Sequence, residues 1–194
     1  MFVVFEGING SGKTKHVHLF IKNLKKAGKR VKLYSYPDKK GVYSKILGKF
    51  LSMEIELDPT TQFLTFLSDI SKDQEKIRKD LDNGYWVIVD RYVPSTVAFQ
   101  NLPIQRGKDL ITGLKLIRPD YICFLNVSPD IAIERMEGKR RYTRFERNEE
   151  LLMKANLRYK EMAEENFFGK WLVIDTTKPV EEVEEEIKRR ILKQ

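Results

Sequence analysis

The segment Gly7-Ile8-Asn9-Gly10-Ser11-Gly12-Lys13-Thr14 matches the phosphate-loop pattern G-x-x-x-x-G-K-[ST] at every fixed position. It follows the apolar run Phe2-Val3-Val4-Phe5, which reads as a buried strand, and precedes Lys15 to Ala27, which reads as a helix. Few folds accept that order. The glycines let the backbone curl so that successive N–H groups converge on phosphate oxygens, and the following helix adds its N-terminal dipole. Lys13 is expected to reach the outer phosphates of a nucleoside triphosphate, and Thr14 to hold Mg²⁺ through its hydroxyl.

The rest of the chain repeats the strand-then-helix rhythm. Phe2–Glu6, Val31–Tyr36, Trp86–Asp90, Tyr121–Val127 and Trp171–Asp175 are short, near-continuous apolar runs, as expected where helices cover both faces of a parallel sheet. Helical patterns fill the intervals, including one over Pro59–Leu81 and one over Lys108–Ile117. This predicts an α/β fold, a doubly wound parallel five-stranded sheet flanked by helices. The 194 residues show no linker or repeat, so one domain spanning 1–194 is expected.

Composition narrows the setting. No apolar run approaches the ~18 residues of a membrane span. The N-terminus enters a strand at once, so no signal peptide is read. The single Cys123 sits in an apolar strand and reads as a buried thiol, which suits a reducing, cytoplasmic location. The net charge of +8 is spread along the chain rather than gathered into a basic tail, so small anionic ligands are expected and a nucleic-acid partner is not.

Three further segments supply charge. Trp86-Val87-Ile88-Val89-Asp90 ends an apolar strand in a carboxylate. Ligands of open α/β sheets bind at the carboxyl ends of strands, so Asp90 is expected beside the phosphate loop as the second Mg²⁺-positioning group. Arg91 follows and can fork onto a phosphate. Tyr36-Pro37-Asp38-Lys39-Lys40 ends the second strand at the same edge, with Lys39 expected to contact phosphate. The cluster Lys139-Arg140-Arg141-Tyr142-Thr143-Arg144 breaks the helical pattern and reads as a short Arg-rich lid over about 138–147.

The surplus of cations selects the chemistry. An alcohol acceptor would need a base to take its proton. A phosphate monoester is already anionic near neutral pH, its second pKa being about 6. The task is then to bring two anions together and stabilise the transferring phosphoryl group, which calls for Lys, Arg and Mg²⁺ from several sides. A nucleoside monophosphate acceptor fits this inventory. A GTPase-type switch would want an N-K-x-D guanine motif, which the chain lacks.

The chain resembles the thymidylate kinases, ATP-dependent members of the P-loop kinase group, nearly end to end. Phe5-Glu6-Gly7-Ile8-Asn9-Gly10-Ser11-Gly12-Lys13-Thr14 is similar to the family's opening, and Asp90-Arg91-Tyr92 with Ser95 and Ala98-Phe99-Gln100 is similar to its D-R-[YH]…S…A-[YF]-Q block. Tyr36-Pro37…Lys39, Arg140, Arg141, Arg144-Phe145-Glu146, Tyr159 and Asp175 to Glu181 resemble further family elements. The resemblance implies that ATP is held by Gly7, Ile8, Asn9, Gly10, Ser11, Gly12, Lys13 and Thr14. It places Arg135 and Lys178 near the adenine. It also implies that the dTMP phosphate meets Arg91 and Lys39, that Phe66 lies against thymine, and that Ser95, Phe99 and Gln100 line the base pocket. A homodimer is implied as well.

Three positions depart from the family pattern. Asn9 replaces a carboxylate expected to contact the 3′-hydroxyl of dTMP, Gly10 replaces an arginine found in some members, and Ile70 replaces an arginine that reads a thymine carbonyl. The transition-state cation is therefore expected from Arg140, Arg141 or Arg144. Lys72 lies near Ile70 in sequence. An acceptor other than dTMP, or relaxed base choice, is the nearest alternative.

Overall fold

The computed structural model describes residues 1–138, 142–146 and 148–192. Among these, strands β1 (Phe2–Glu6), β2 (Val31–Ser35), β3 (Trp86–Asp90), β4 (Tyr121–Asn126) and β5 (Trp171–Asp175) form one sheet in the order β2-β3-β1-β4-β5. Every neighbouring pair is parallel. The central strands β1, β3 and β4 are almost wholly buried, which explains their unbroken apolar runs. The edge strand β2 leaves Lys32, Leu33 and Ser35 exposed.

Alternation along each strand divides the core in two. Val3, Phe5, Ile88, Cys123 and Leu125 pack against α1 (Lys13–Lys26) and α9 (Val180–Leu192). In α1 the buried Val17, Phe20 and Leu24 recur at helical spacing on that face. Full burial of a side chain such as Phe20 contributes about 2–3 kcal/mol. Phe2, Val4, Val87, Val89, Ile122 and Phe124 face the other way. That face is covered by α2 (Ser44–Leu51), α3 (Pro59–Ser71), α4 (Gln74–Asp82), α5 (Val93–Phe99), α6 (Ile104–Thr112), α7 (Pro129–Glu134) and α8 (Glu149–Glu164).

This division opens the crevice. The chain leaves β1 toward the α1/α9 face and leaves the adjacent β3 toward the α5 face, so the connections diverge from paired carboxyl ends.

Two helical expectations are revised. The run Pro59–Leu81 is two helices, broken at Lys72-Asp73. No Gly or Pro marks the break, which is stabilised by tertiary contacts of Lys72 and Asp73 described below. The helix expected over Lys108–Ile117 is Ile104–Thr112: Pro103 caps its start, and the chain turns at Gly113.

Candidate active site

The phosphate loop runs from the end of β1 to the start of α1 with no room for a side chain at Gly7 or Gly10. A Cβ on Gly10, whose φ is 85°, would lie 2.2 Å from the Ala132 carbonyl oxygen of α7. One on Gly7 would lie 2.8 Å from the Leu125 carbonyl oxygen. The backbone itself therefore lines the cradle, and Gly10 leaves no space here for a side chain. No side chain caps α1 at Gly12, which leaves its first N–H groups open to an anion. Ser11 Oγ is buried and has no partner among the described residues. An unpaired buried hydroxyl on an open helix end suits a phosphate oxygen.

Lys13 and Thr14 both reach across to β3. Lys13 Nζ pairs with Asp90 Oδ1, and Thr14 Oγ1 donates to Asp90 Oδ2 at 3.1 Å. Burial alone would raise the Asp90 pKa, but the Lys13 ammonium, the Arg91 guanidinium and the Thr14 hydroxyl together outweigh it and hold the carboxyl below its usual range. Burial, with the Arg91 guanidinium adding to it, brings Lys13 down to about 8. Thr14 and Asp90 make an all-oxygen donor pair, the chemistry that a hard cation such as Mg²⁺ accepts.

Arg91 occupies the left-handed region, with φ 67°, uncommon for a residue with a side chain. Its N–H donates to the Phe5 carbonyl at 3.0 Å, which helps hold that strained turn in place. The turn aims the guanidinium back over the phosphate loop. There Nη1 donates to the Gly7 carbonyl at 2.9 Å and to Ser95 Oγ at 3.3 Å, Nη2 donates to Asn9 Oδ1, and the plane lies 5.0 Å from the Phe99 ring centre.

Glu6 organises this turn from beneath and was not singled out by sequence. It is fully buried and accepts from Tyr92 N at 2.8 Å, Ser95 N at 3.2 Å, Ser95 Oγ at 2.6 Å and Tyr159 OH at 2.9 Å. Burial raises its pKa against the lowering effect of those donors. The signal was available: like Asp90, Glu6 is a carboxylate closing an apolar strand at the sheet's carboxyl edge.

A cavity of about 610 Å³ joins these parts, a size typical of small-ligand sites. Its walls bring together the phosphate loop, Lys39, Phe66, Asp90, Arg91, Ser95, Phe99, Gln100 and Arg135. Lys39 is exposed at its rim. Arg135 donates to the Thr176 carbonyl at 2.8 Å, tying α7 to the loop after β5.

Other expected residues lie elsewhere. Lys178 does not line the cavity; its Nζ is 3.8 Å from Glu186 on α9. Arg144 turns away from the phosphate loop. It donates to the Phe50 and Ile55 carbonyls at 2.9 and 3.0 Å, pairs with Glu56 at 2.8 Å, and stacks over Phe50 at 4.4 Å. Its neighbours Thr143, Phe145 and Glu146 do line the cavity. Arg140 and Arg141 lie outside the described residues.

Ile70 lines the cavity as an apolar surface, and Lys72 does not stand in for a base-reading arginine. Its ammonium lies 3.2 Å from Asp38, 3.1 Å from Asp69 and 2.7 Å from Asp73, with the Tyr36 ring 5.2 Å away. Asp69 in turn accepts from the Asp38 backbone N–H at 2.7 Å, and Tyr36 OH donates to Asp73 at 3.0 Å. This cluster ties the Lys39 segment to the α3–α4 break.

A family model described as thymidylate kinase matches residues 5–187. The chain is 33% identical to a thymidylate kinase of Thermosipho melanesiensis, with 98% of this chain and 97% of the relative aligned. It is 34% identical to a probable thymidylate kinase of Archaeoglobus fulgidus, over 98% and 94%. It is 30% identical to a thymidylate kinase of Plasmodium falciparum, over 99% and 90%.

Proposed function

The chain belongs to the thymidylate kinase family, and from that premise we propose that it transfers the γ-phosphoryl group of ATP to dTMP, with Mg²⁺, to give ADP and dTDP. The observation that carries this reading is the meeting of Lys13, Asp90 and Arg91 at the adjacent ends of β1 and β3, opening on one cavity that continues to Phe66 and Gln100. A donor phosphate site and an acceptor pocket then share a wall.

In this reading the Gly7–Thr14 backbone and Lys13 bind the ATP phosphates, releasing Lys13 from Asp90. Arg135 lies on the adenine side. Arg91, Lys39 and the Asn9 amide hold the acceptor phosphate and sugar, while Phe66 lies against the base, Phe99 lines its pocket and Gln100 reads its edge. An anionic oxygen of dTMP attacks the γ-phosphorus, the bond to the ADP oxygen breaks, and the electron pair leaves with ADP. No general base is required, because the acceptor oxygen carries its charge before reaction. Thr14 and Asp90 would hold Mg²⁺, which when bound neutralises phosphate charge. The lid of about 138–147 supplies Arg140 or Arg141 on closure.

One domain carrying this site, acting as a homodimer in the cytoplasm, completes the proposal. Among the described residues no helix is long and apolar enough to cross a membrane. Light scattering of the purified protein tests the dimer.

A second reading, relaxed base choice, is favoured by the apolar Ile70 and the sequestered Lys72. Initial rates with dTMP, dUMP, UMP, dCMP and dGMP, each with ATP and Mg²⁺, separate the two. Strong preference for dTMP is expected, and preference for another acceptor would overturn the substrate assignment.

A further inference from the structure

Arg158 is a buried guanidinium with no described carboxylate partner. It lies on α8, only 8% exposed. Among the described residues its hydrogen bonds go to backbone carbonyls: Nη1 to Val97 at 3.1 Å, Ala98 at 3.4 Å and Gln100 at 2.5 Å, and Nη2 to Leu102 at 2.5 Å. Burial disfavours the charge and lowers even the arginine's pKa, against a partial offset from the Glu161 carboxylate. The arrangement persists because α5 ends abruptly. Gln100 is extended, with φ −84° and ψ 151°, so the last carbonyls of α5 have no following helical turn to bond. A cation at a helix C-terminus also meets the negative end of its dipole.

What α5 carries makes this clamp more than a cap. Ser95, Thr96, Phe99 and Gln100 all line the cavity. Gln100 is 2% exposed, and its Oε1 is buried with no hydrogen-bond partner among the described residues. An unpaired buried acceptor at a cavity wall awaits a donor. The imide N3–H of thymine or uracil is such a donor. Cytosine presents an acceptor at that position. Reading one from the other depends on where the amide sits, and its backbone is anchored by Arg158.

We infer that Arg158 is the positioning residue for acceptor-base recognition, fixing the Gln100 amide by gripping the carbonyls of Val97, Ala98, Gln100 and Leu102. This rests on the acceptor pocket proposed above. The next residue on α8 holds the other end of the same wall, since Tyr159 OH lies 2.8 Å from Ser95 Oγ. Arg158 needs to touch no substrate to act.

The test is Arg158→Lys. Its single ammonium cannot fork across four carbonyls. We expect the KM for dTMP to rise about tenfold and the ratio of kcat/KM for dTMP over dCMP to fall about tenfold, while the KM for ATP stays within about twofold. Unchanged dTMP KM and unchanged ratio overturn the inference. So does a fall in kcat that is equal for both acceptors with KM unmoved, as a smaller folded fraction would give. If Arg158→Lys does not fold, hydrogen exchange of the unmodified protein decides. Saturating dTMP should slow exchange in the 97–102 segment, and no protection there overturns the inference. The unmodified enzyme is assayed alongside with both acceptors. Inactivity toward dTMP there would sink the substrate reading itself, whereas a dTMP-selective enzyme whose Arg158→Lys form is unmoved sinks only the role of Arg158.

Discussion

Arg91 donates through Nη2 to Asn9 Oδ1 across 82 residues of chain, so the proposed acceptor-phosphate cation and the phosphate loop are one hydrogen-bonded unit. The contact engages the amide's oxygen and leaves its Nδ2 as a donor. A carboxylate at this place would form an ion pair with Arg91 and present only acceptors to a sugar hydroxyl. Asn9→Asp should therefore sharpen discrimination against acceptors lacking a 3′-hydroxyl. The ratio of rates for dTMP and its 3′-deoxy analogue should rise several-fold, since a hydrogen bond to a charged group is worth about 1 kcal/mol more than one to a neutral group. An unchanged ratio argues against a sugar contact for Asn9.

In the proposed reaction Arg91 and Lys13 both stabilise charge on the transferred group. Arg91→Ala and Lys13→Ala should each lower kcat by about 10²-fold or more, the usual result of losing a preorganised charge. Arg91→Lys should recover only part of that loss, because an ammonium lacks the planar fork. Steady-state ADP release measures all three. Near-normal turnover by either alanine variant removes that residue from the mechanism.

Lys13 gives a pH signature in the ligand-free protein. Burial and Arg91 hold it at about 8, below the ordinary lysine value of 10.5. Between those values the unfolded chain binds a proton that the folded chain has released, so this group's contribution to stability rises with pH across that window. Below pH 8 both states are protonated and the slope vanishes. Lys13→Met keeps the packing and removes the titration. The Tm of the wild type relative to Lys13→Met should climb between pH 8 and 10, and a flat or falling difference contradicts the assignment.

Lys72 neutralises a cluster that would otherwise repel itself. Lys72→Met leaves Asp38, Asp69 and Asp73 facing one another, with Asp69 fully buried. Destabilisation of about 1–3 kcal/mol is expected, because truncating one partner strands the others. The Lys39 segment hangs on this cluster, so the KM for dTMP should rise more than the KM for ATP. Without the ammonium, Asp69, whose pKa burial already raises, holds its proton more tightly when folded than when unfolded. The stability lost should therefore be partly recovered as pH falls from 7 toward 5. Equal losses at pH 7 and pH 5 would falsify the like-charge explanation.

Much of the site was legible because it is built from contiguous residues at strand ends. Gly7–Thr14 and Asp90-Arg91 each follow an apolar run, and in a parallel sheet every such run delivers its next residue to the same edge. Glu6 obeys the same rule and was passed over. Local pattern did not reveal Arg158, whose four carbonyl partners lie 56 to 61 residues away. Nor did it reveal that Lys72 is caged, that Arg144 turns to Glu56, or that the Pro59–Leu81 pattern breaks in the middle.

By itself, then, the sequence determined the parallel α/β architecture, the phosphate loop and the charges that accompany it, because backbone curvature, hydrophobic period and strand direction are local properties. Only the tertiary structure decided which cations face the cavity and which are spent on holding it together. A lysine or arginine side chain is long enough to serve either end, and the choice is made by carboxylates and carbonyls that the fold brings in from distant parts of the chain.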